Sequence, residues 1–137
     1  MRITFIGYKE NSINFFSELG KILSAKISGV ELEERFVPFV EDLPIVAAEA
    51  SADSDFIFVY ALVDEEEQVS VIKQKLIDIE LASKTRILKI VENDSFSGIG
   101  EDDILDKKTE LSREYAQLIV DILFNEHAFT PKEKDFN

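Results

Sequence analysis

Two aromatic side chains and one run of acids carry the chemistry that this sequence could do. Tyr8 follows the first apolar run, Arg2 to Gly7, and Phe39 follows the turn proline Pro38 at the end of a second, charged run. Both stand where a strand should hand over to a helix. Planar heterocycles are held at such places by ring stacking and main-chain hydrogen bonds. The other use for Phe39 is to fill a contact between subunits. Asp64-Glu65-Glu66-Glu67 follows a third run and could hold a hard cation such as Mg²⁺. The plainer reading is a solvated helix start, where acids complement the helix dipole. His127 is the one histidine. It reads as the end of the last helix, where an imidazolium suits the dipole better than it suits acid–base work. With one His and no Cys, a zinc site has almost no ligands, and there is neither a disulfide framework nor a Cys nucleophile.

The elements that must position these groups follow in order. Arg2 to Gly7 reads as a buried strand, and Gly7–Ser12 as a loop in which Asn11 or Ser12 caps a helix. Phe15, Leu19, Ile22 and Leu23 give that helix one apolar face. Gly20 inside it costs roughly 1 kcal/mol against Ala, which points to close helix–sheet contact. Gly29 marks the turn out. Glu31 to Val37 is charged at Glu31, Glu33, Glu34 and Arg35, so this second strand belongs at a sheet edge. Pro38 stops it. Asp42 can cap the next helix and Pro44 suits its first turn. That short Ala-rich helix runs from about Leu43 to Ala52.

Asp55 to Val63 is almost continuously apolar and is the best central strand. A helix then starts within Asp64 to Glu67, with Val69, Ile72, Leu76 and Ile79 as its buried stripe. Thr85 to Val91 is the fourth strand. Residues 92–108 read as a long acidic loop, either a lid or simply mobile. Thr109 caps the last helix, which buries Tyr115, Leu118, Ile119, Ile122 and Leu123, and Pro131 closes it. The expectation is one domain over residues 1–131 and a charged, flexible tail over 132–137.

The βαβαβαβα alternation calls for a parallel sheet with helices on both faces and right-handed crossovers. An edge-like second strand and a core-like third favour the order 2-1-3-4, a flavodoxin-like three-layer sandwich. Ligands in such sheets bind outside the carboxyl ends of the strands. The candidate loops are therefore 7–12, 38–43, 62–67 and 92–103.

Several functions are excluded by what these loops contain. There is no G-x-G-x-x-G after the first strand, no G-x-x-x-x-G-K and no G-x-S-x-G. Gly98-Ile99-Gly100 lies among acids far from the first strand and reads as chain flexibility. A receiver domain needs paired acids after the first strand, where this chain has Gly7-Tyr8. Lys9-Glu10-Asn11 makes a poor flavodoxin phosphate loop. A net charge of −13 argues against a nucleic-acid backbone as partner. No apolar run reaches the roughly 18 residues of a membrane span, and the first residues do not read as a signal peptide. A soluble, cytoplasmic protein with no membrane partner is the expectation.

Val37, Pro38, Asp42, Leu43, Pro44 and Ala47 form the pattern V-P-x-x-x-D-L-P-x-x-A. It resembles the second strand-to-helix loop of the archaeal riboflavin synthases, which are sequence relatives of lumazine synthase. Phe39 stands where that family usually has a small residue. Ser54-Asp55-Phe56-Ile57-Phe58 is similar to the family's third strand. Glu114 to Thr130 is similar to its last helix, notably at Leu123-Phe124 and Phe129-Thr130. Two places depart from the family. Gly7-Tyr8-Lys9-Glu10-Asn11-Ser12 replaces D-T-T-F-A-R, and Ile72-Lys73-Gln74-Lys75-Leu76 replaces C-A-H-E-A, so that Gln74 takes the place of a histidine.

The resemblance implies a riboflavin synthase-type transferase. Two molecules of 6,7-dimethyl-8-ribityllumazine would exchange a four-carbon unit to give riboflavin and a ribitylamino-pyrimidine. The protein would position two rings and move protons, without an organic cofactor. Tyr8, Lys9, Asn11 and Ser12 would supply polar contacts to the substrate. Pro38, Phe39, Val40 and Glu41 would supply main-chain and ring contacts. Lys73 and Gln74 would occupy the catalytic place. The family assembles as homo-oligomers, pentamers or their multiples, with sites shared between neighbours. The alternative is a non-catalytic member that binds a flavin or lumazine, or serves as an assembling subunit. A third reading is a Mg²⁺-dependent hydrolase or transferase built on Asp64 and Glu67.

Overall fold

The computed structural model describes residues 1–125. His127, Pro131 and the 132–137 tail lie outside the described residues, as does the Phe129-Thr130 match. Strands β1 (Arg2–Tyr8), β2 (Glu31–Val37), β3 (Phe56–Val63) and β4 (Arg86–Asn93) alternate with helices α1 (Phe16–Lys26), α2 (Leu43–Ala50), α3 (Glu66–Ser83) and α4 (Glu101–Phe124). A single 3-10 turn, Val40–Asp42, leads into α2. The sheet is parallel throughout, in the order β2-β1-β3-β4. This is the flavodoxin-like α/β sandwich expected from the sequence.

Strand alternation builds the two outer layers. Every residue of β3 is buried. Phe56, Phe58, Tyr60 and Leu62 point into one core, while Ile57, Val59, Ala61 and Val63 point into the other. The large side chains meet α1 and α4 through Phe16, Leu19, Leu23, Tyr115 and Ile119. The smaller ones meet α2 and α3 through Leu43, Ala47, Ala50, Ile72 and Leu76. Ala47 and Ala50 are the small side chains that α2 turns into this core. β2 is the polar edge. Its Glu33 pairs with Arg35, whose guanidinium is held further above its usual value mainly by that hydrogen bond. Arg2 reaches Glu31 and Asp53, but these partly exposed pairs contribute little. A Cβ on Gly20 would sit 3.3 Å from Leu32 Cδ1, which explains a glycine inside α1. A Cβ on Gly7 would sit 2.9 Å from the buried Phe16 ring, so no larger residue fits where β1 passes α1.

Four expectations are corrected. The loop drawn over residues 92–108 shrinks to 94–100, because β4 runs to Asn93 and α4 starts at Glu101. Glu101, Asp102 and Asp103 form the first turn of α4, where acids face the positive dipole end. Their charge had made them look like loop. Thr109 therefore caps nothing; within α4 its hydroxyl donates to the Leu105 carbonyl at 3.2 Å. Asp42 makes no side-chain cap for α2, since it sits in the 3-10 turn with its own N–H bonded to the Phe39 carbonyl. Neither Asn11 nor Ser12 caps α1. That helix starts at Phe16, whose N–H is taken by Asn14 Oδ1 at 3.1 Å.

The α1/α4 core is aromatic. Phe15 stacks on Tyr115 with ring centroids 5.7 Å apart, and Phe58 and Tyr60 pack against the same ring. Burial pushes the Tyr115 phenol up to about 12, with Glu92 and Glu114 adding to the shift. Burial pushes Tyr60 up as well, helped by Tyr115 and the nearby carboxylates. Both phenols stay neutral in the fold at a pH where the unfolded chain has begun to lose their protons. Stability is therefore complete below pH 10 and falls as the pH climbs from 10 towards about 12. Urea titrations across that range should show the fall, and Tyr60→Phe with Tyr115→Phe should flatten it. An equally steep fall in the double variant would assign it to other groups. No helix of the described residues is long and apolar enough to cross a membrane.

Candidate functional site

The carboxyl ends of β1, β2 and β3 converge on one cleft. β1 delivers Tyr8 at its last position. β2 ends at Val37, and Pro38 turns the chain so that Phe39, Val40 and Glu41 lie across the sheet edge. β3 ends at Val63 and passes through Asp64 and Glu65 into α3, whose first turn adds Gln68. These eight residues, Tyr8, Phe39, Val40, Glu41, Val63, Asp64, Glu65 and Gln68, enclose about 170 Å³. The cleft opens along α3 into a shallower groove of about 490 Å³, floored by Val40, Val71 and Ile72 and edged by Glu67. In the order 2-1-3-4, the chain leaves β1 in one direction and β3 in the other, and the cleft lies at that switch point.

Phe39 is 60% exposed. A ring of that size beside a cleft offers a flat apolar face to the solvent. The 3-10 turn holds it in place through the Asp42 N–H to Phe39 carbonyl bond at 3.0 Å, and Val40 is buried beneath. Glu41, Asp64 and Glu65 are exposed carboxylates. The cleft can thus offer one aromatic face, one phenol, a side-chain amide and three hydrogen-bond-accepting or proton-accepting carboxylates.

Of the residues singled out in the sequence, the structure brings Tyr8, Phe39, Val40 and Glu41 together. Lys9 is exposed, and its N–H bonds the Val37 carbonyl at 2.9 Å. Pro38 makes the bend without lining the cleft. Asn11 and Ser12 turn the other way. Asn11 Oδ1 accepts from the Leu62 N–H at 2.8 Å, and its Nδ2 donates to the Tyr60 carbonyl at 3.0 Å. Ser12 donates to Asp94 Oδ1 at 2.7 Å, and that oxygen also accepts from the Phe96 and Ser97 N–H groups. Their polar atoms are committed to holding the β1 and β4 loops. Lys73 and Gln74 lie two turns into α3 and outside the cleft lining; Gln74 donates to Asp78 at 3.2 Å. Gln68 was missed. It falls three residues after Glu65, one helical turn on, and that spacing from the strand end is the signal that could have found it.

Among the described residues, no group of three or more His, Cys, Asp or Glu is placed to hold a metal ion. No protein-family model matches the chain, and no curated protein matches it. A solution structure of a phosphate-loop protein matches at 19% identity over 96% of this chain and 99% of that one, with a TM-score of 0.42. So loose a superposition carries no argument about function.

Proposed function

We propose that this protein is a riboflavin synthase-like enzyme that takes 6,7-dimethyl-8-ribityllumazine into the cleft and dismutates two such molecules to riboflavin and a ribitylamino-pyrimidine. The observation that supports this reading is the meeting of Tyr8, Phe39, Val40 and Glu41 around one opening at the carboxyl edge of the sheet. These residues lie in or beside the two loops that the sequence had marked as substrate contacts. The fused ring lies against Phe39, and the ribityl chain runs along the adjoining groove. Proton removal from the activated methyl group needs a base in reach, and Glu41 and Glu65 line the cleft. The reaction needs two rings face to face, and one chain's cleft presents a single exposed phenylalanine, Phe39, to stack on. A neighbouring copy must then complete the site, in keeping with the pentamer or its multiple that the resemblance implies.

A second reading is binding of a lumazine or flavin without turnover. It is favoured by the position of Lys73 and Gln74, which occupy the family's catalytic place in sequence yet stand outside the cleft. Mixing the pure protein with 6,7-dimethyl-8-ribityllumazine and following riboflavin absorbance separates the two. Riboflavin formation at a rate proportional to protein concentration is the expected result. Saturable binding with no product gives the second reading, and neither binding nor product removes both.

A further inference from the structure

β4 closes the sheet on one side, so one of its edges has no described strand beside it. Val63 stands opposite Asn93, and its carbonyl accepts from the Asp94 N–H at 3.0 Å. Backbone groups alternate in direction along a strand. The even positions of β4 therefore bond β3, and the N–H and C=O groups of Ile87, Lys89 and Val91 point outward. Such a row is a template for another strand. Its side chains invite one, since Ile87, Leu88, Ile90 and Val91 are apolar and Lys89 is the one charge among them. Both outward groups of Ile87 are already taken. Its N–H donates to Glu80 Oε2 at 2.7 Å, and its carbonyl accepts from Lys89 Nζ at 2.8 Å. The same ammonium donates to Glu80 Oε1 at 2.6 Å, which closes a ring of three bonds over the strand edge. α3 puts Glu80 in place. It ends at Lys84 in the left-handed conformation, φ 62°, and β4 starts two residues on. The two side chains are only 19% and 20% exposed. An open surface pair would contribute little, but this one directs its hydrogen bonds at the backbone.

We propose that the Glu80–Lys89 clasp bars strand addition at β4, and that the strand it keeps out is β4 of a second copy of this chain. Two such edges meeting on a two-fold axis run antiparallel. That sets Arg86 at the start of one β4 against Glu92 near the end of the other, so the charges match once the Ile87 groups are free. The β2 edge needs no clasp, because Glu31, Glu33, Glu34 and Arg35 already spread charge along it.

Sedimentation of the full chain over a range of concentrations tests this, with circular dichroism to check the fold. Whatever mass the parent protein has, Glu80→Ala/Lys89→Ala should rise to twice that mass as its concentration is raised. Glu80→Ala/Lys89→Pro also lacks the clasp, but its proline removes an outward N–H without touching the bonds to β3. It should stay at the parent mass. A double-alanine variant that keeps the parent mass at every concentration would overturn the proposal. So would equal association of the proline variant, which would place the contact elsewhere. Hydrogen exchange in the parent protein decides the matter even if a variant fails to fold. The Ile87 amide should exchange about tenfold more slowly than an open edge amide, the equivalent of one ordinary hydrogen bond. Exchange at the open rate would mean that no clasp holds it.

Discussion

Replacing Asn11 with alanine is expected to lower the free energy of unfolding by about 2–4 kcal/mol, since two backbone groups of β3 lose their partner. The pairing of β1 with β3 ends at Gly7 opposite Tyr60. One residue beyond Gly7 the β1 chain turns away, while β3 continues to Val63. The Tyr60 carbonyl and the Leu62 N–H therefore face a strand that has left. Asn11 fills the gap with its side chain, donating to one at 3.0 Å and accepting from the other at 2.8 Å. Its amide stands in for a peptide unit. Both backbone groups belong to buried residues, so water is a poor substitute. Asn11→Asp restores only the acceptor and sets a carboxylate against a carbonyl, so it should be no better than Asn11→Ala. Urea unfolding followed by circular dichroism is the measurement. A loss below about 0.5 kcal/mol for Asn11→Ala would mean that the bridge adds nothing beyond an ordinary surface residue.

The same residue shows where sequence reading stops. Asn11 looked like a helix cap or a ligand contact because a polar residue after a strand is most often one of these. Its actual partners are 49 and 51 positions away. No local pattern announces such a bond. The fold, by contrast, was legible in pattern alone. The unbroken apolar run of β3 marked the centre of the sheet, and the charges of β2 marked its edge. Both follow from how many faces of a strand are covered. The start of α4 was misplaced because Glu101–Asp103 are acids next to glycines. Charge alone does not separate a loop from a first turn that favours charge. For the candidate site, turn chemistry at Pro38 located Phe39 correctly at the sheet edge. Lys73 and Gln74 came from position in a family pattern, and helix geometry carries them past the cleft: about 1.5 Å of rise per residue takes Lys73 roughly 10 Å beyond the start of α3.

The largest expected functional effect belongs to Phe39. Phe39→Ala should weaken riboflavin binding roughly tenfold to a hundredfold, the equivalent of about 1.4–2.8 kcal/mol lost when a stacked ring is removed. Its stability should stay within about 0.5 kcal/mol of the parent protein, because a side chain that is 60% exposed contributes little to the core. Phe39→Trp keeps a flat face and should retain binding. The control is Phe36, which is 42% exposed on β2 but touches Phe16 and lies outside the cleft lining. Phe36→Ala should cost some stability through that ring contact and leave affinity unchanged. The two phenylalanines thus separate two uses of exposed aromatic surface in the same chain. If Phe36→Ala weakened binding as much as Phe39→Ala, the ligand would sit on the open β2 edge and not in the cleft. If Phe39→Ala unfolded the protein and spared affinity, the ring would be a packing element. The exposure of Phe39, the buried Val40 next to it and the 3-10 turn that follows it all argue that Phe39→Ala loses affinity and keeps its stability.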